Sequence, residues 1–400
     1  MNLQKKFLFF FISFFFIYSS LVVFDYTLFI ITFKDYIKIR GLERENFYNT
    51  IEQASIAKNE GYEAFIYPYL FDKGNIFNKY YKKNKLLPLG GQPSQKVYLC
   101  DEGYGLIKFN TDQLGYRNKK DVWVNENYKN SILIVGDSFA AGHCLNYEDT
   151  IAAKLHAKTK VTNISAGGND SMMYGVLAKT FIKHIKPKIV LVIFYSNDNS
   201  LLSNISIDDE LNTIFLNNLN GADYLYYNEE NKSLNLNNDV IKLFNNVKKD
   251  QVIAEGRGPI GEVKSYSGRK NIIFRGLRYT TLPTLRNILK IFYYKYNFNL
   301  PQPSKWAIDS VIDECKQFNC IPIFAYIPSS KYWRPHALHK PFGESLKDYI
   351  VNNKNSNFFD LSDYFTASDN SIYYAPKGAH LSALGADIFF KNFSKKYLHK

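Results

Sequence analysis

Five apolar runs give the chain from residue 131 onward its rhythm: Ser131–Val135, Lys160–Ile164, Lys188–Phe194, Cys320–Ile327 and Asn357–Leu361. They are short, rich in Ile, Val and Phe, and bounded by Gly, Asn, Asp and Ser, which is the pattern of strands buried on both faces. Between them the apolar positions recur at helical spacing, predicting helices over about 148–158, 171–186, 302–318 and 342–353, with a last helix over about 382–397. Strands that alternate with helices form a parallel sheet covered on both faces. With right-handed crossovers this predicts an α/β fold, a three-layer α/β/α sandwich.

The alternation breaks once. Residues 199–300 form an insertion after the third core strand, at the end of the sheet where ligands bind, so it is placed to shape access. It is expected to hold a hairpin at Tyr224–Asn235, a Gly/Lys/Arg-rich loop at 255–270 and a helix at about 281–296.

The N-terminal pattern differs in kind. Lys5 and Lys6 precede Phe7–Phe24, which carries no charge, and after Asp25 the apolar residues resume to Phe33. Residues 1–33 therefore read as a single transmembrane helix, with Tyr18 and Tyr26 suited to the interfaces. A cleaved signal peptide is the rival, but no small-x-small cleavage site follows, which favours an uncleaved signal-anchor. Lys5 and Lys6 put the N-terminus inside and the rest on the periplasmic or extracytoplasmic side of the cell membrane. Lys34, Lys38 and Arg40 on the other flank weaken that bias. Residues 34–127 read as a stalk and lead-in, with loop chemistry at 86–93 and a turn at Gly115, and 128–400 as the domain that carries chemistry.

Composition narrows the partners. A chain of 400 residues that is 46% hydrophobic can build a sizeable core. The net charge of +13 comes from scattered lysines without a basic, aromatic-interleaved motif. The membrane is the expected partner, and nucleic acid is not one. Nothing in the sequence sets the oligomeric state. The four cysteines lack the spacing of a zinc site, so neither metal nor cofactor is expected. In an exported domain they are candidates for disulfides. Cys100 before the first core strand is expected to pair with Cys144 after it, and Cys315–Cys320 is a second candidate.

The first core strand ends in Gly136-Asp137-Ser138-Phe139, which sets a serine hydroxyl at the carboxyl end of a buried strand. The second ends in Ser165-Ala166-Gly167-Gly168 and the third in Ser196-Asn197-Asp198. His380 precedes the final helix. Singly these are ordinary turn and cap residues. Together they supply a nucleophile (Ser138), a base (His380) and oxyanion donors (the N–H groups of Ser138 and Gly168 and the side chain of Asn197). His143 is a rival base, ranked below His380.

These blocks resemble the SGNH (GDSL-type) hydrolase family, over about 130–200 and 302–398. The lead-in from Leu87 to Asn118 also resembles a membrane-anchored branch linked to bacterial surface polysaccharides. The resemblance implies a flavodoxin-like five-stranded parallel sheet and a serine esterase or deacetylase. Such an enzyme would work through an acyl-serine intermediate, here on an acylated cell-surface glycan or glycolipid. An O-acyltransferase, or a non-catalytic carbohydrate-binding or assembly protein, are the alternatives. The family has an aspartate three residues before the histidine, where this chain has Lys377. That leaves a Ser–His dyad, a triad whose acid is displaced, or a domain that binds without catalysis. A backbone carbonyl, or one of Asp360, Asp363 and Asp369, is expected at the imidazole.

Overall fold

The computed structural model describes residues 3–67, 88–199, 224–249, 282, 298–330, 332–333, 339–366 and 371–398. Helix α1 runs over Leu3–Asn59, and within it Phe9–Leu28 is long and apolar enough to cross a membrane, with a mean hydropathy of 1.8. The far end of α1 is docked on protein. Ala54 and Ala57 are buried against Ala64 and Tyr98. Those two residues belong to a small sheet of β1 (Glu63–Ala64), β2 (Lys96–Tyr98) and β3 (Lys108–Asn110), in that order.

The main sheet starts at β4 (Ile132–Gly136) and adds β5 (Val161–Asn163), β6 (Ile189–Tyr195), β9 (Ile321–Ile327) and β10 (Asn357–Asp360). All its pairings are parallel and its order is β10-β9-β6-β4-β5. Numbered by their sequence order within the sheet, the strands lie 2-1-3-4-5, the flavodoxin-like order. The connections are helices α2 (Ile151–His156), α3 (Ser171–Ile185), α5 (Gln302–Phe318) and α6 (His339–Asp348), followed by α7 (Ala383–Tyr397).

Three layers follow from strand alternation. Leu133 and Val135 of β4 and Val190, Val192 and Phe194 of β6 share one cluster with α3, α5 and α6. Ile132 and Ile134 of β4 and Ile189, Leu191 and Ile193 of β6 share the other with α2 and α7. Each strand residue faces the helix layer opposite to its neighbour's, and burying both faces explains why the runs are apolar without alternation. Caps fix where the helices begin. The side chains of Thr150, Asp170 and Ser382 accept from Ala153 N, Met173 N and Gly385 N.

The structure revises some boundaries. The helix expected over 148–158 is only Ile151–His156 after a 3₁₀ turn at Tyr147–Asp149. That expected over 342–353 begins at His339 and closes on a π turn at Tyr349–Asn353. The lead-in is built into the body of the protein. Val97, Leu99, Tyr116 and Trp123 are buried in the same cluster as β4, β6 and α3. Asp112 organises this segment: its carboxylate accepts from Leu114 N, Tyr116 N, Asn118 Nδ2 and Trp123 Nε1. Asn118 in turn pairs with the backbone of Asn163 at the end of β5.

Within the insertion, β7 (Leu225–Asn228) and β8 (Ser233–Leu236) form the expected hairpin, followed by α4 (Asn238–Lys249). The hairpin packs on the lead-in through Leu234 N to Trp123 O and Leu89 N to the Tyr224 hydroxyl. The loop at 255–270 and, except for residue 282, the helix expected at 281–296 lie outside the described residues.

Candidate active site

In a 2-1-3-4-5 sheet the chain leaves β4 and β6 in opposite directions, which opens a crevice at their carboxyl ends. Gly136 closes β4 there. A Cβ on it would lie 2.5 Å from the Ala140 Cβ and 2.9 Å from Ile193 O, so only glycine lets the chain turn this tightly against β6. Ser138 follows, half-buried.

Several groups hold the serine loop. Phe139 N donates to Asp137 Oδ1 (2.8 Å), His143 N to Ser138 O (2.9 Å) and Asn163 Nδ2 to Ala140 O (3.0 Å). The buried guanidinium of Arg117, from the lead-in, donates to Gly142 O and Leu145 O, both at 2.8 Å. The Phe139 ring stacks on Tyr195 and lies 4.9 Å from the ring of His380.

The loop before α7 brings His380 to this point. Its Nε2 lies 2.9 Å from Ser138 Oγ. Its Nδ1 lies 2.8 Å from Glu102 Oε1, and its backbone N–H donates to Glu102 Oε2 at 3.1 Å. A carboxylate only accepts, so Nδ1 carries the ring proton and Nε2 is left to accept from the serine hydroxyl.

Glu102 corrects the expectation about the orienting acid. The carboxylate comes from the lead-in, upstream of Ser138, and not from the C-terminal stretch. Asp360 caps the 3₁₀ turn that follows β10, accepting from Ser362 N and Oγ. Asp363 lies within that same turn, and Asp369 is outside the described residues. The Nδ1 position expected for a carbonyl or one of these aspartates is occupied by Glu102. Lys377 is exposed, and its backbone N–H donates to Glu102 O at 3.0 Å.

Glu102 is held from several sides. The Cys100–Cys144 disulfide links its strand end to the serine loop, with Cα atoms 5.2 Å apart. Asp101 Oδ1 accepts from Gly103 N (2.7 Å) and Gly105 N (3.0 Å), which folds the chain around it. Gly378 makes room: a Cβ there would lie 1.8 Å from Glu102 Cδ. The second expected disulfide, Cys315–Cys320, is also formed, at the junction of α5 and β9.

Charge follows geometry. Burial works to raise the Glu102 carboxyl, but the His380 charge and the hydrogen bonds from His380 and Ala379 outweigh it and hold the group below its ordinary value. For His380, burial disfavours the imidazolium, yet the Glu102 charge and hydrogen bond, with help from Asp137, leave its pKa raised. Burial raises Asp137, and it raises Asp198 further with the Asp137 charge added. Asp198 is fully engaged, accepting from the Tyr174 hydroxyl and Tyr195 N.

His143, the rival base, is buried, and its ring lies 5.5 Å from that of Tyr67 and 5.7 Å from that of His380. Burial first, then the His380 and Arg117 charges, pushes its pKa well down, so it is neutral at neutral pH. It is His380 that reaches Ser138 Oγ.

The two glycines after β5 have separate reasons. A Cβ on Gly167 would strike the rings of His143 and Tyr67, at 2.3 and 2.6 Å, whereas Gly168 has a φ of +79° and is exposed at the sheet edge. Asn197 is exposed directly after β6. Glu102, Cys144 and His380 cluster within 4.8 Å, but Cys144 is bonded to Cys100 and offers no thiolate to a metal.

No protein-family model matches the sequence, and no curated protein matches it. Solved structures with a similar course of chain include a protein provisionally assigned as a lipolytic protein of the G-D-S-L family, from Desulfitobacterium hafniense. It is 14% identical with a TM-score of 0.36, over 67% of this chain and 99% of that one. TesA is 12% identical with a TM-score of 0.36, over 67% and 98%. A protein provisionally assigned as an acylhydrolase, from Bacteroides fragilis, is 11% identical with a TM-score of 0.34, over 67% and 86%. Likenesses this distant assign no residue and no substrate.

Proposed function

We propose that this chain is a membrane-anchored serine esterase that transfers an acyl group through Ser138. One observation carries the reading. Ser138 Oγ, the His380 imidazole and the Glu102 carboxylate are joined in series by contacts of 2.9 and 2.8 Å, at the carboxyl edge of a parallel sheet. His380 Nε2 takes the hydroxyl proton as Oγ attacks the ester carbonyl, and Glu102 holds the tautomer and stabilises the imidazolium. The backbone N–H groups of Ser138 and Gly168 and the side chain of Asn197 are the donors assigned to the oxyanion. His380 then protonates the leaving alcohol, and a water activated by the same imidazole releases the acid.

The reading of a domain that binds without catalysis rested on Lys377 standing where the family has its aspartate. Glu102 at Nδ1 removes that motive. If a sugar hydroxyl replaces water as acceptor, the same constellation is an O-acyltransferase.

Two disulfides support export to an oxidising compartment, and α1 supports anchoring. We assign the substrate to the acylated glycans or glycolipids of the cell surface, on the outer side of the membrane. Full-length protein in detergent micelles, treated with a fluorophosphonate probe, is expected to label at Ser138, and Ser138→Ala to abolish labelling. Labelling that survives in Ser138→Ala, or none in the folded wild type, would overturn the assignment.

A further inference from the structure

The acid at His380 is connected to the membrane helix. Gln53 lies in the last two turns of α1, and its Nε2 donates to Asp101 Oδ2 at 3.2 Å. The other end of the same amide, Oε1, is buried and meets no donor among the described residues. The hydrogen bond that fixes this side chain is therefore the one to Asp101. Asp101 Oδ1 closes the turn over Gly103 and Gly105, and the next residue along from Asp101 is Glu102. Both oxygens of the aspartate are thus engaged, one by the loop itself and the other by the helix. Ala54 and Ala57, beside Gln53 on α1, are buried against Ala64 and Tyr98, so the helix end that presents Gln53 is seated on the body of the protein.

We propose that Gln53 and Asp101 are positioning residues for Glu102, so that α1 is both the membrane anchor and a supporting element of the catalytic triad. Neither residue touches Ser138 or His380. They act by fixing the loop that carries the carboxylate. The catalytic part of this inference rests on the esterase reading above, and the positioning part does not.

The test uses full-length protein in micelles with two readouts. The first is the titration midpoint of His380, followed by NMR of ¹³C-labelled histidine and assigned by its loss in His380→Gln. The groups around that ring are Glu102 and Asp137, whose charges raise it, and His143 in the serine loop. The exposed Lys377 lies on its own loop. Gln53→Met keeps the length of the side chain and removes the donor without changing any charge. It is expected to loosen Glu102 and lower the His380 midpoint by roughly half a pH unit, about threefold in the proton equilibrium. In a Glu102→Gln background the same substitution is expected to leave the midpoint where it is, because its effect passes through Glu102. Glu60→Gln, which removes a different contact at this end of the helix (the ion pair with Lys108 of β3, one residue beyond α1), is expected to move nothing.

The second readout is the rate of fluorophosphonate labelling at Ser138. It is expected to fall about threefold in Gln53→Met at a pH below the midpoint of neither protein, where both imidazoles are neutral. An unchanged midpoint in folded Gln53→Met, or an equal shift with and without Glu102, would overturn the proposal. A midpoint that shifts as expected in a protein whose serine never labels would uphold the positioning and defeat the esterase reading.

Discussion

Glu102 and His380 are 278 residues apart in the chain and 2.8 Å apart in space. The contact sets the pH response of the site, because the Glu102 charge and hydrogen bond overcome burial and raise the imidazole. A general base must be neutral, so activity is expected to fall as pH drops through the His380 midpoint, above 6.5 in the wild type. Glu102→Gln removes the raising influence. Its acid limb should move to lower pH while the plateau rate drops by ~10²–10⁴. A pH–rate profile on a small acetyl ester checks both, and an acid limb that stays in place would mean that Glu102 does not tune His380.

Gly378→Ala should separate activity from stability. The added Cβ would meet the Glu102 carboxyl end at 1.8 Å, and that end belongs to a flexible side chain that can swing away. We expect the fold to persist, with a loss of less than ~1 kcal/mol, while labelling of Ser138 slows at least tenfold. Thermal unfolding and labelling on the same sample distinguish this from general unfolding, which would lower both.

Lys377→Asp places an acid three residues before the histidine, but the Nδ1 position already has its acceptor. The side chain of residue 377 is exposed, and its backbone is tied to Glu102 O. The turnover of Lys377→Asp on a small acetyl ester is therefore expected to stay within about threefold of wild type, a change of under ~1 kcal/mol in the barrier. A large gain would mean that Glu102 is not serving as the acid.

Stability should depend on pH through the same pair. The raised His380 contributes stability that is complete below its unfolded value near 6.5 and is lost as pH rises through its folded value. The lowered Glu102 contributes stability present above its unfolded value near 4.5 and lost as pH falls through its folded value. The contribution of the pair therefore peaks between these limits. Unfolding temperatures of wild type and Glu102→Gln should differ most between about pH 5 and 6.5 and draw closer on either side, as Glu102 is protonated in acid and His380 loses its charge in base.

Removing the Cys100–Cys144 disulfide should damage both fold and site. The bond spans 44 residues, and constraining such a loop in the unfolded chain stabilises the folded state by ~4 kcal/mol on the chain-entropy account. Paired replacement Cys100→Ser with Cys144→Ser is expected to lower the unfolding temperature and slow Ser138 labelling. The matching pair at Cys315 and Cys320, which closes a loop of only a few residues away from the serine, should leave labelling unchanged.

The periodicity of the chain by itself determined the parallel sheet, because strands buried on both faces must be apolar throughout and the helices between them must be amphipathic. It also determined where Ser138 falls, since a serine at the end of the first core strand needs only the local run Ile132–Ser138 to be recognised. The pairing of Cys100 with Cys144 was legible from the expected export and from position, and it held a clue to Glu102, two residues along the bridged segment.

What the sequence could not supply was the acid at His380. A residue three positions before a histidine can be read from local spacing, but one 278 positions before it can be placed only by the packing of the lead-in. That packing is tertiary. Val97, Leu99 and Trp123 share a core with β4 and β6, Arg117 clasps the serine loop, and Gln53 meets Asp101 from α1. Hydrogen bonds and buried contacts between distant segments leave no periodic trace in the chain. A segment that read as a stalk therefore turned out to carry the carboxylate.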